Sequence, residues 1–583
     1  MFSCLSQSNM KASNIIVLVA CLAVGGQSYL VLQNKAYIQL NDVNGGKTIN
    51  ASTYNRIDFD HFTNILYVLA KEPGRMTAFV LGSDGTPSQL TEWVFNTLET
   101  GQPLDIEVCR PVNSGGPPRV AISFEDPSSA SADGVVRVYE ALTQLVTDMT
   151  LIKEIAVGAQ PVDIEYGEDC NIMLVANRGR PTQEGNVYRD PEGTVTKIVT
   201  PPDFNENSPI ISTNINFGGL FTGPGSSEFI ELLREENFRF APLRQPDNTL
   251  LSVMQNIEPE HVVLAPNFQA AYVSLPKNNA LARLNLDTNQ ISTVFPLGNR
   301  SWTDYYMDAS DLDGVANMRS YNIHSLMQPT ELKWISKDGR DWLIMLDTGR
   351  LDSSPVYGTP DHQRGKTLMQ NGDIVSADSQ LQAQLLDDDE LGRLWVSTED
   401  GKRASDGKLE TVFTFGGRGF SIHDANTFKT VSGVVDNIEQ VSKQFYRNVF
   451  NTAYLSDDST PAVDVEATSP SLGPNLGSMA VGDYEGKTVM FFGSATSGIL
   501  YVYQLSPDTD CPQPVFHSVH RAGSSAFSWS QSFGQGNMGD IGITDMMYLK
   551  DDNLLPVLVV ASATSNSISI YSVGDNVFSP PRQ

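Results

Sequence analysis

Seven times along the chain a near-continuous apolar run is followed, across a short break, by a strand of alternating character. Ile65–Ala70 precedes Met76–Leu81, Arg119–Phe124 precedes Gly134–Tyr139, and Ile172–Asn177 precedes Gly193–Val199. Ala271–Leu275 precedes Asn279–Asn285, Val489–Phe492 precedes Gly498–Tyr503, and Val557–Ala561 precedes Asn566–Tyr571. In the remaining copy Trp342–Leu346 is separated by a long insertion from Phe413–Phe415 and Gly419–Asp424. The first member of each pair reads as a strand buried on both faces, the second as a strand with one wetter face. One such hairpin cannot bury its own apolar surface, whereas seven arranged radially can. The pattern predicts an all-β fold, a β-propeller of seven blades forming a single domain. The spacing is irregular, and a pair of β-sandwiches would show the same alternation.

The segments between repeats carry their own signals. Phe229, Leu232 and Leu233 have helical spacing within residues 226–236, predicting a short inserted helix packed on the ring. Residues 348–412 are polar and rich in Asp, Gly and Ser, and are expected to form long loops on one face.

Composition sharpens this picture. The 583 residues include 46 Gly and 32 Pro, with 18% charged and 40% hydrophobic residues, as suits a turn-rich packed protein rather than a disordered one. Lys and Arg number 39 against 68 Asp and Glu, a formal charge of −29. Such a surface repels nucleic acid and anionic lipid and attracts cations. No internal apolar run approaches the roughly 18 residues of a membrane span.

The N-terminus reads as a signal peptide over 1–28, with Lys11, the apolar run Ile15–Val24 and the small residues Gly25, Gly26 and Ser28. The expected domain then covers 29–575, followed by a tail at 576–583 that lacks the hydrophobic stretch of a lipid-anchor signal. A secreted, extracellular protein without a transmembrane segment is expected. Cys109, Cys170 and Cys511 would remain after the leader. One disulfide is possible, and Cys109–Cys170 is favoured because each flanks a strand in neighbouring repeats; three buried thiols are the alternative. Asn50 and Asn299 begin glycosylation sequons.

Enzyme motifs are missing. There is no G-x-S-x-G and no H-E-x-x-H. Gly-Lys-Thr begins at Gly46, Gly365 and Gly486, each without the upstream glycine of a phosphate-cradling loop. His517 and His520 would point to opposite faces of a strand and share no zinc. Carboxylate clusters are the better signal. Asp308, Asp311 and Asp313 lie within six residues and end at Gly314, so the loop offers oxygens to a hard cation such as Ca²⁺. Asp387–Glu390 and Glu258/Glu260 form two more clusters. Each reads equally as a solvated acidic face, and Glu258 or Glu260 equally as a cap on strand backbone.

Several segments together resemble the choice-of-anchor I domain family and the mesenchyme-specific cell-surface glycoproteins that carry it. They are Asp190–Val195, Glu258-Pro-Glu260 with Ala271–Leu281, Asp308…Asp311…Asp313-Gly314, Leu391-Gly-Arg393, Phe415–Ile422 and Gly539–Gly542 with Leu558–Ala561. The resemblance runs from about Asn41 to Val573. It implies an extracellular β-propeller glycoprotein, associated in animals with calcified skeletons and shells; bacterial relatives are sometimes labelled phosphatases. Against the family pattern, carboxylates are replaced at Asn177-Arg178-Gly179, Asp347-Thr348-Gly349, Gly473–Gly477 and Ile543-Thr544. Asp190, Glu192, Glu258, Glu260, Asp308, Asp311 and Asp313 survive and form the expected metal set.

The leading expectation is a non-enzymatic, acidic matrix protein that binds calcium ions or a mineral surface, with biomineralisation as its setting. A calcium-dependent phosphoesterase, with Arg178 or Arg393 as the positive clamp, is the alternative. A propeller that binds matrix proteins or glycans is another.

Overall fold

Each of the seven apolar runs becomes the second strand of a four-stranded antiparallel sheet, and its alternating partner becomes the third. Ile65–Ala70, for example, pairs with Asn55–Asp60 on one side and Arg75–Leu81 on the other. Ile65–Ala70, Arg119–Phe124 and Ala270–Leu275 are buried at every position, because a sheet lies against each of their faces. The computed structural model describes residues 29–576 except 112–115, 185–186, 202–203, 241–251, 268, 352–359, 508–510 and 552. The expected leader over 1–28 and residues 577–583 of the tail lie outside the described residues.

The first strands of the sheets line a central axis. Asn55–Asp60, Pro103–Cys109, Pro161–Tyr166, Val262–Leu264 and Leu332–Lys337 adjoin one another in that order. The fifth sheet reaches Leu476–Tyr484, the first strand of the sixth, through its own second strand Arg340–Asp347, and Ile543–Asp551 then adjoins both Leu476–Tyr484 and Asn55–Asp60. The ring is closed, and the fold is an all-β propeller. The last sheet takes its outer strand from the other end of the chain, Tyr29–Gln39 pairing antiparallel with Ser567–Asn576. This pairing protects an edge and ties the two chain ends together.

A belt of carboxylates stitches neighbouring sheets. Asp545 accepts from the Ile57 amide at 3.0 Å, Asp105 from Ile164 at 2.7 Å and Asp163 from Val262 at 2.8 Å. Asp58 takes the Val108 amide, and Glu331 takes that of Met479 at 3.0 Å. Each bond links the first strand of one sheet, or in Glu331 the residue just before it, to the first strand of the next, where backbone N–H groups would otherwise be buried without partners. Three of these acids belong to a repeated phrase, Gln102-Pro-Leu-Asp105, Gln160-Pro-Val-Asp163 and Gln328-Pro-Thr-Glu331. Its proline opens the first strand at Pro103 and Pro161, a position that needs no ladder donor.

The insertions depart from expectation in three ways. Phe413–Phe415 is not a blade strand: it lies parallel to His324–Leu326 in a three-stranded side sheet, while Gly419–Asp424 alone pairs with Arg340–Asp347. Residues 348–412 are not only loops, since helices form at Gly365–Asn371 and Ser379–Leu386. Leu368, Leu381 and Leu385 bury against Trp302, Met307 and Ile323, which gives this region its own core. The helix Ser226–Glu235 forms where its spacing placed it, with Leu233 buried and Phe229 packed on the ring. Leu232, however, is exposed, because the helix presents only a narrow stripe to the sheet.

Cys109 and Cys170 form a disulfide with Cα atoms 5.7 Å apart, joining the second and third sheets. Asn50 and Asn299 lie exposed on the surface. No described helix is long and apolar enough to cross a membrane.

Candidate cation site and axial cavity

Asp308 and Asp313 come together as their short spacing suggested, but their third partner is Glu466, over 150 residues away in sequence. One oxygen from each of the three lies within 4.8 Å of the others. Asp311 turns outward instead and accepts two donors from the Arg393 guanidinium, one at 2.7 Å. The cluster is built by a buried arginine. Arg418 donates to the Asp308 carbonyl at 2.6 Å, the Ser469 carbonyl at 2.6 Å and Glu439 Oε1 at 2.9 Å. It thereby clamps the 308 loop against the segment that carries Glu466. Ser469 Oγ donates to Asp308 Oδ2 at 3.2 Å, and the Ala316 amide to Glu466. Val315 and Ala316 hold left-handed φ values of 76° and 56°, an arrangement a β-branched residue resists and the surrounding contacts impose.

The electrostatics of the three acids are unfavourable without a counter-charge. Burial, reinforced by Glu439, Glu466 and Asp313, pushes Asp308 up to about 9. Burial and Glu466 push Asp313 up to about 6, and burial raises Glu466. Asp313 Oδ1 is buried with no hydrogen-bond partner. An all-oxygen, all-carboxylate donor set in a wrapped loop fits a hard divalent cation such as Ca²⁺. The other expected cluster is engaged elsewhere, Asp388 with Lys366 at 2.6 Å and Glu390 with Arg319.

Glu258 and Glu260 lie far from this chemistry in kind. Glu258 is fully buried and faces three cations: Lys277 at 2.6 Å, Arg350 at 3.3 Å and Arg178 at 3.4 Å. Glu260 bridges Arg178, at 2.8 Å, and Arg350. With their charge already matched, these two carboxylates serve as supports for arginines rather than as open ligands. Asp190 accepts from Tyr188 Oη at 3.2 Å, and Glu192 is exposed. The expected seven-residue metal set is therefore divided, and only Asp308 and Asp313 converge.

Sequence reasoning missed the axial cavity. Its funnel encloses about 710 Å³ and is lined by Arg56, Arg178, Arg180, Arg350, Lys71 and Glu260 among others. Below it a channel of about 340 Å³ is lined by Asp105, Glu107, Asp163, Glu165, Lys333 and Asp545 among others; Arg56, His261 and Glu331 line both. Burial raises Asp58 to about 7, Asp105 to about 6 and Glu165 to about 7, with neighbouring acids adding to it. Burial also drives His261 well below its ordinary value, so it is neutral at pH 7. Segments of all four stretches where the chain departs from the family pattern line this funnel, at Arg178, Thr348, Asn475 and Thr544. The repeated Gln-Pro-x-acid phrase was the available signal, because it marks first strands and hence the axis. His517 accepts from the Leu30 amide at 3.2 Å and His520 packs on Tyr571, so the two share nothing.

A choice-of-anchor I domain model matches residues 55–508, and the chain belongs to that family. It is 25% identical over 396 residues to the mesenchyme-specific cell surface glycoprotein of Strongylocentrotus purpuratus, covering 63% of this chain and 50% of that protein. It is 26% identical over 198 residues to Gigasin-3a of Magallana gigas, covering 33% of this chain and 68% of that protein. The chain thus spans half the length of the sea-urchin relative it matches. Among solved structures it is similar to the β-propeller domain of Cps50 (Swd1) from Myceliophteria thermophila, with TM-score 0.40, 8% identity, and coverage of 93% of this chain and 100% of that domain.

Proposed function

We propose that this is an extracellular or cell-surface glycoprotein propeller that binds calcium at Asp308, Asp313 and Glu466 and meets calcium-rich or mineral surfaces through its acidic exterior. The observation that carries the reading is the convergence of these three carboxylates, none of which forms a salt bridge among the described residues. A bound divalent ion would offset the burial and the carboxylate repulsion that raise Asp308. The Cys109–Cys170 disulfide, the exposed sequon asparagines and the relative named as a cell surface glycoprotein support the location. The net charge of −29 supports weak, multivalent attraction of further cations or a mineral face. The role is binding rather than catalysis. Arg393, one of the two candidate clamps for phosphoryl transfer, is spent on Asp311, and the other, Arg178, lines the axial funnel, which none of the three carboxylates lines.

Calorimetric titration of Ca²⁺ into the purified protein tests this. One saturable site is expected, lost in Asp308→Asn and Glu466→Gln but kept in Asp311→Asn. Absence of a saturable site, or its loss in Asp311→Asn alone, would overturn the assignment. Retention on calcite that falls with rising salt is the expected sign of the diffuse component.

A further inference from the structure

We propose that the axial funnel is a binding site for a small organic oxyanion, a carboxylate or phosphate carried on a body the size of one or two sugar rings. Three observations on the cavity lead here. Its volume of about 710 Å³ falls within the range of small-molecule sites. Its charged lining inverts that of the chain: five basic residues (Arg56, Lys71, Arg178, Arg180, Arg350) stand against three acids (Glu125, Glu260, Glu331), where the whole sequence has 39 against 68. And the three acids are already committed, Glu260 to Arg178 and Arg350, Glu331 to the Met479 amide and Lys333, and Glu125 to Lys71.

The guanidinium groups are held but not exhausted. Arg178 spends Nε and Nη2 on Glu258 and Glu260, and its guanidinium faces the funnel. Arg56, where funnel meets channel, is surrounded by Asp105, Asp163 and Asp545; among the described residues its polar contacts are long, to Asp105 at 3.6 Å and the Thr544 carbonyl at 3.5 Å, and its buried Nε has no hydrogen-bond partner. Fixed guanidinium groups with donors to spare suit a planar or tetrahedral oxyanion, which accepts two parallel N–H bonds. Between them the wall is mixed: Tyr54, Leu104, Val162 and Leu351 give apolar faces, and Thr330, Thr348, Gln160 and Asn475 give hydroxyl and amide groups. Those alternating surfaces match a sugar ring, with its C–H faces and hydroxyl edges, better than a bare ion.

The full chain, in chelator and at low salt, is titrated by calorimetry with glucuronate, glucose 6-phosphate, inorganic phosphate and glucose. Chelation makes the outcome independent of the calcium site. Saturable binding of glucuronate or of glucose 6-phosphate is expected, whichever is tighter identifying the anionic group, with glucose at least tenfold weaker. Arg178→Gln is expected to weaken binding at least tenfold. Lys71→Gln, a rim change that spares the buried Glu258 network, is expected to weaken it two- to fivefold with unchanged melting temperature. Binding of neither charged sugar, binding of glucose equal to both, inorganic phosphate as tight as glucose 6-phosphate, or no effect of Lys71→Gln in the folded variant would each overturn the proposal.

Discussion

The loop cluster at Asp308 and the support beneath the funnel at Glu258 are both buried groups of carboxylates, yet they are resolved in opposite ways. Around Glu258 the chain supplies Lys277, Arg178 and Arg350, so charge is matched from within. Around Asp308 the buried cation Arg418 aims three of its bonds at main-chain carbonyls and its charge at Glu439. The first arrangement fixes arginines in place; the second leaves a deficit of positive charge that an ion from outside can fill. A buried acid is thus a ligand only where the fold withholds its counter-charge.

The largest expected effect is at the clamp. Arg418→Met leaves Glu439 buried without a cation and unties Asp308 from Ser469, and is expected to destabilise the protein by about 3–5 kcal/mol in urea unfolding. Next, Glu258→Gln strips three cations of their shared partner and is expected to cost about 3 kcal/mol while leaving Ca²⁺ affinity unchanged. A loss of Ca²⁺ binding there would break the comparison, since it would mean the two regions act as one. Glu466→Gln is expected to lower Ca²⁺ affinity at least tenfold, about 1.4 kcal/mol, with less than threefold change in Asp311→Asn because Arg393 already holds that side chain.

The smallest effect is the most diagnostic. A carboxylate raised in the folded state is protonated there while the unfolded chain has ionised, so it withdraws stability as pH climbs from about 4 towards its folded value. For Asp308 that value is about 9 and for Asp313 about 6. In chelator at pH 8, Asp308→Asn is expected to melt higher than the unsubstituted protein by about 2 °C, and the gain is expected to vanish near pH 4. Saturating Ca²⁺ is expected to reverse the order, because only the unsubstituted protein gains from the ion. A variant that melts lower at both pH values without Ca²⁺ would show that Asp308 is already satisfied by the fold.

The repeating pair of strands was legible because burial on both faces leaves a dense apolar signature. Val557–Ala561 and its partner Asn566–Tyr571 illustrate this, buried throughout. First strands escaped notice because the axis is polar: Pro161–Tyr166 reads PVDIEY, and its acids look like surface residues until Asp163 is seen holding the Val262 amide. One of the three residues of the candidate site shared that fate. Asp308 and Asp313 were visible as a local cluster, whereas Glu466 sits beyond intervening sheets and helices, in a stretch with Asp457, Asp458 and Asp464 that was not singled out. Arg393 and Asp311 were both noticed, but one as a clamp and the other as a ligand, when each in fact satisfies the other.

Local pattern by itself determined that this chain makes strands in repeated hairpins, that its net charge is strongly negative, and that a carboxylate-rich loop follows residue 307. These depend on side-chain period, composition and near neighbours, all of which are properties of short segments. Tertiary structure alone decided that the first strand pairs with the last, that carboxylates bond backbone amides across sheet boundaries, and which acids meet a cation and which meet one another. Those outcomes depend on contacts between residues 19 to more than 500 positions apart, where charge balance is set by spatial proximity and burial rather than by order along the chain.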